Sequence, residues 1–145
     1  MKLRKIILLF RSAIFFTLFS LIASPAQAQK NELIDLQQDW GIQPVHLRIT
    51  ADGYMIEFRY KILDIDKALI LSDRKDFPYL LSMKSRAKLS VPYGATVGFL
   101  KSNRRFIKQG KNYIAMFSNE GKHMLKGDKV KIQIKNQIST ELVLE

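Results

Sequence analysis

From Tyr54 to Ile62 the chain alternates without a break: Tyr54, Ile56, Phe58, Tyr60 and Ile62 fall on one side, and Met55, Glu57, Arg59 and Lys61 on the other. A period of two sends successive side chains to opposite faces of a strand, so one face is written to be buried and the other to be solvated. Asp52-Gly53 stands immediately before this run, a pair suited to a tight hairpin turn. Before that pair, Val45, Leu47 and Ile49 alternate with His46, Arg48 and Thr50. The spacing predicts a hairpin from Pro44 to Ile62 and commits the chain to sheet.

The rest of the chain keeps to that plan. Phe77 to Met83, Lys88 to Val91, Lys129 to Lys135 and Thr140 to Leu144 read as further strands, with Pro78 suited to a strand start or a sheet edge and Pro92 ending the second of them. Along Lys129 to Lys135, Val130, Ile132 and Ile134 face inward. Asn112 to Ser118 contains Tyr-Ile-Ala-Met-Phe, apolar on both faces, and reads as a central strand covered on both sides. Asp64 to Asp76 is either a short helical turn or an edge strand. Gln29 to Gln43 reads as a lead-in segment, and 44–145 as the domain. Some seven or eight short strands separated by turn signals predict an all-β fold, an immunoglobulin-like β-sandwich, with a small β-barrel as the alternative. Tyr113, two residues before Ala115, has the placing of a tyrosine corner, and equally that of an ordinary core tyrosine.

The first 28 residues follow another logic. Lys2, Arg4, Lys5 and Arg11 precede an apolar core from Ser12 to Ile22, and Ser24-Pro25-Ala26-Gln27-Ala28 closes the segment. Cations, apolar run and small residues in that order predict a signal peptide, with Ala26 and Ala28 as the cleavage residues. The apolar core is too short to span a bilayer, which takes about 20 residues. A retained membrane anchor is the alternative. Cleavage leaves a periplasmic or secreted chain that meets the membrane only transiently, through its leader. The chain has no cysteine, which removes disulfides, thiol nucleophiles, thiolate metal sites and cysteine lipidation together.

Charge is unevenly spread. The chain has 24 Lys and Arg against 13 Asp and Glu, and four of the cations lie in the leader. Between Lys84 and Lys135 the only acids are Glu120 and Asp128. Lys101, Arg104, Arg105, Lys108 and Lys111, interrupted by Phe106 and Ile107, form the densest basic stretch, a candidate binding face for which a solvated loop is the plainer reading. Outside the cytoplasm the expected partner is an anionic envelope component (phospholipid, polysaccharide or an acidic protein) and not nucleic acid.

Other chemistry is sparse. No nucleophile elbow, phosphate-binding glycine loop or zinc-binding His pair occurs, and no cofactor is expected. His123 and Met124 are the one local pair suited to cuprous ion, with His46 or Met83 as further donors. Asp64, Asp66, Asp73 and Asp76 suit turns and helix caps, or oxygen ligation of calcium. The expectation is an exported non-enzymatic binding or accessory domain, with a copper-handling domain and a hydrolase of unrecognised type as alternatives. Trp40-Gly41-Ile42, Gly53-Tyr54-Met55 with Phe58-Arg59-Tyr60, Pro78-Tyr79-Leu80 and Lys126-Gly127-Asp128-Lys129-Val130 together resemble a group of exported bacterial β-domain proteins. That resemblance implies a periplasmic or secreted β-domain and brings no activity or site residues with it.

Overall fold

The computed structural model describes residues 31–72, 76–92 and 107–145. They form nine strands and one short helix: β1 (Glu32–Ile34), β2 (Ile42–Thr50), β3 (Met55–Ile62), α1 (Ile65–Ala68), β4 (Tyr79–Ser82), β5 (Lys88–Ser90), β6 (Asn112–Ser118), β7 (Lys129–Ile134), β8 (Gln137–Ser139) and β9 (Leu142–Val143). The chain is all-β, in two sheets. The larger has the order β1-β8-β7-β4-β5 with β9 also on β7, and the smaller is β2-β3-β6.

The smaller sheet grows from the hairpin that Asp52-Gly53 announces. Residues 51–54 turn the chain back with Ala51, Asp52 and Gly53 all at positive φ, and Thr50 pairs with Met55. Ile56, Phe58, Tyr60 and Ile62 are buried, as the alternation requires, with Ala115 and Phe117 of β6 beside them, whereas Tyr54, read on the same face, belongs to the turn before β3 and is 49% exposed. One expectation is corrected here. A β-bulge between Pro44 and His46 takes Val45 out of register, and its side chain is 49% exposed instead of facing the core. A bulge inserts one residue and so reverses the facing of everything before it, which places Ile42 inward at the start of β2.

In the larger sheet β7 is the centre. It pairs with β4 along one edge and with β8 and then β9 along the other. Between β8 and β9 the register slips by one residue, and the buried Ser139 hydroxyl takes the place of a backbone carbonyl by accepting from Ile132 N at 2.9 Å. Beyond β9 the chain crosses to the smaller sheet: Glu145 N donates to Leu47 O at 2.8 Å, and Ile49 N donates to Glu145 O at 3.0 Å. The segment read as a lead-in supplies β1, parallel to β8, and buries Ile34, Leu36 and Trp40 in the common core. Three-residue strands carry no readable period, which is why β1 and β8 escape a sequence pattern.

β6 differs from expectation. Among the described residues it is the edge of its sheet, with Ile114 and Met116 half-buried on the outer face. Asp64 settles the ambiguous stretch after β3: its carboxylate accepts from Asp66 N and Lys67 N and caps α1. Gly41 sits at φ +61, where a Cβ would meet the Asp64 backbone, and its carbonyl accepts from Leu63 N and Asp64 N, locking β2 to the helix entry.

Candidate functional site

Because every strand pair but β1–β8 is antiparallel, the connections gather at two ends. One end collects the β2–β3 turn, the β4–β5 turn, residues 119–128 and the end of β9. Asn119, fully buried, ties the β2–β3 turn to residues 119–128: its backbone N donates to Tyr54 O, and its side-chain amide donates to Gly53 O at 2.9 Å and to Met124 O at 3.0 Å. Ser85 Oγ donates to His123 O, and Met83 N donates to Lys129 O. This turn end is therefore a braced surface, assembled from segments up to 90 residues apart in sequence.

Its exposed side chains are of two kinds. Lys84, Arg86, Lys122, Lys126 and Lys129 are exposed cations. Lys129 meets Glu141 at 3.3 Å and Lys122 lies 4.5 Å over the Tyr54 ring, whereas Lys84, Arg86 and Lys126 have no carboxylate partner among the described residues. Tyr54, Met83, Leu125 and Val143 are the exposed apolar groups. Acids are present too: Asp52 and Glu120 are exposed, while Asp128 holds the following turn by accepting from Leu125 N at 2.8 Å.

An open groove of ≈ 630 Å³ runs from this end between the edges of the two sheets, lined by Lys88, Ser90, Val91, Ser118, Glu120 and His123 among others. Lys88 extends across the neighbouring strand, its Nζ 3.9 Å from the Tyr79 ring centroid. The His123 ring occupies the space that a Cβ at Gly121 would need. The groove thus carries one cation, Lys88, one acid, Glu120, and hydrogen-bonding groups, and it reaches the wall of the core through Leu89.

A second cluster lies on the outer face of the smaller sheet. Glu57, 8% exposed, meets His46 Nε2 at 2.8 Å, Arg59 at 3.0 Å and Arg48 at 3.3 Å. Burial pushes its carboxyl up, but the bonds from His46 and Arg48 and the charges of Arg48 and Arg59 outweigh that and hold it below the usual carboxylate range. Its place is structural, since a carboxylate already engaged by His46, Arg48 and Arg59 is saturated. His46 is therefore half-buried and engaged, and does not stand free in solvent as its outward facing suggests. The signal lay in the hairpin register, which sets Arg48 directly opposite Glu57.

The structure distributes the sequence candidates differently from their spacing. Lys101, Arg104, Arg105 and Phe106 lie outside the described residues, as do Ala26 and Ala28. Lys108 and Lys111 are exposed around the turn at Gly110, whose N donates to Ile62 O. They are at the opposite end of β6 from Lys122, and the seven residues of that strand set the two groups roughly 20 Å apart. His123 is exposed while its neighbour Met124 is fully buried in the core, so the two do not share a surface. Among the described residues no three His, Asp or Glu side chains gather as metal ligands do. Comparison with protein-family models, curated proteins and solved structures finds no match to this chain.

Proposed function

We propose that this chain is an exported, non-catalytic binding domain of the bacterial cell envelope that holds an anionic component at its turn end. The observation that carries the reading is the contrast within that end: Lys84, Arg86 and Lys126 are exposed and lack a carboxylate partner among the described residues, on turns held by hydrogen bonds from Ser85 to His123 O and from Met83 N to Lys129 O and by the buried Asn119. Braced loops that display unpaired charge are positioned for a partner, because loops carry function when a rigid scaffold fixes them. In this reading the leader is removed after Ala28, and the mature chain works in the periplasm or outside the cell. Among the described residues no helix is long and apolar enough to cross a membrane.

The two sheets are read further as an immunoglobulin-like sandwich. In support, the Tyr113 hydroxyl accepts from Lys108 N at 3.0 Å, five residues upstream, as a tyrosine corner does. The passage of the chain from β9 to the edge of β2 agrees with a strand that changes sheets.

The test compares two equal charge reversals. Immobilised protein carrying Lys84→Glu and Arg86→Glu is expected to lose low-salt capture of acidic envelope components, while Lys108→Glu with Lys111→Glu retains it. Unchanged capture by the first pair removes the proposal. Mass spectrometry of the purified protein is expected to find Gln29 as the first residue.

A further inference from the structure

We infer that the turn end docks on the surface of an anionic phospholipid bilayer. The inference rests on the reading of that end as the binding face, and it departs from the expectation that the chain meets a membrane only through its leader.

Seven large apolar side chains are exposed among the described residues, and four of them, Tyr54 (49%), Met83 (47%), Leu125 (56%) and Val143 (58%), lie at this one end. Single exposed apolar groups need no explanation, but four of them set among five cations on adjoining turns do. The four stand on separate turns and strand tips, with cations set between them. Lys129 sits in register between Met83 and Val143, Lys126 follows Leu125, Lys84 follows Met83, and Lys122 lies over Tyr54. The opposite end also exposes Leu33 and Phe77, but its Lys108 and Lys111 flank a turn of Gln109 and Gly110 with no exposed apolar side chain between them.

The chemistry of the mixture selects the partner. Protein interfaces bury a contiguous apolar centre, favour Arg and aromatic anchors and are depleted in Lys. Here four of the five cations are Lys, and they divide the apolar groups so that no dry centre can close. A lipid headgroup layer makes no demand for a continuous apolar patch. Lysine stems can lie along the protein surface while their ammonium groups reach phosphates, and the apolar tips between them enter the boundary with the acyl chains. Tyr54 belongs at headgroup depth, with its ring in the apolar boundary and its hydroxyl in water. Asp52 and Glu120 share the end and Glu141 offsets Lys129, so the attraction is modest, reversible and sensitive to salt.

The experiment uses the protein as the exporting cell leaves it, every variant having the same N-terminus as its parent by mass spectrometry, and sediments it with vesicles. The parent is expected to bind phosphatidylcholine vesicles containing phosphatidylglycerol, to ignore phosphatidylcholine alone, and to release as salt rises. A cation beside an anionic surface contributes about fivefold, so Lys122→Glu with Lys126→Glu lowers binding more than tenfold. Leu125→Ser and, independently, Met83→Ser lower it severalfold with the charge unchanged, and Lys108→Glu with Lys111→Glu leaves it at the parental level. Equal binding to both kinds of vesicle, or equal losses from the two charge-reversal pairs, overturns the inference. A parent that ignores both vesicles, yet still captures acidic proteins in a manner dependent on Lys84 and Arg86, also overturns it while leaving the broader reading intact. Failure of both assays removes the two together.

Discussion

The two ends of this sandwich differ in how much of their charge holds the backbone. At the end formed by residues 31–42, 62–68 and 107–112, acids close turns: Asp35 accepts from Gln37 N and Gln38 N at 2.8 Å, Asp39 accepts from Asp35 N at 2.7 Å, and Asp64 caps α1. Lys67 Nζ donates to Gln38 O and ties α1 to the same loop. At the turn end Asp128 closes one turn by accepting from Leu125 N, but the bonds between turns are made by neutral groups such as Asn119, and Lys84, Arg86 and Lys126 have no carboxylate partner among the described residues. Charge that organises the backbone cannot be altered without a cost in stability, whereas charge that organises nothing can be. The comparison therefore separates a structural end from a binding end by a criterion that stability measurements can reach.

The largest effect is expected from Trp40, which is 1% exposed and donates through Nε1 to Gln137 Oε1 at 2.8 Å. Trp40→Ala opens a cavity where the segment before β2 meets the larger sheet and is expected to lower unfolding free energy by about 3–5 kcal/mol in urea titration. A loss below about 1 kcal/mol would mean that this end is not the anchor described above.

Glu57 comes next, because it lies between the ends and belongs to neither pattern. Glu57→Ala leaves Arg48 and Arg59 without their shared carboxylate and is expected to cost about 1–3 kcal/mol. The direction with pH follows from its lowered carboxyl. A group that holds its proton less tightly when folded than when unfolded stabilises the fold above its unfolded value, and that stability is lost as pH falls through the folded value. Chemical denaturation of the parent should thus weaken on acidification below the ordinary carboxylate range, and the variant should show less of that decline. Identical pH profiles would place the Glu57 network outside the stability of the fold.

Smaller again is Asp64→Ala, which removes the cap of a four-residue helix and is expected to cost about 1 kcal/mol by thermal melting. The smallest effect belongs to the turn end, where Lys84→Glu with Lys126→Glu should change stability by no more than about 0.5 kcal/mol. A larger loss there would show that these cations hold the fold and would blur the distinction between the ends.

Much of this architecture is legible in the residues, and the limits of that legibility are physical. The alternation of β3 and the Asp52-Gly53 turn carry their own evidence, because hairpin pairing is local and its period is two. Val130, Ile132 and Ile134 are likewise buried as their spacing requires. The bulge at Val45 left no mark in the sequence, since one inserted residue looks like continued alternation. β6 reads as central because Ile114 and Met116 are apolar, yet among the described residues it forms an edge. The candidate site was the least legible part. Density along the chain draws attention to 101–111, whereas the turn end takes Tyr54, Met83, Lys122 with Leu125, and Val143 from four separate segments. No linear pattern records what antiparallel pairing brings together.

The most direct test of the account needs no substitution. Acetylation rates of individual lysines, followed by peptide mass spectrometry with and without phosphatidylglycerol-containing vesicles, report both ends in one sample. The account predicts that Lys84, Lys122, Lys126 and Lys129 are protected on addition of vesicles while Lys61, Lys108 and Lys111 continue to react at their free rates. Uniform protection, or protection confined to the second set, contradicts it.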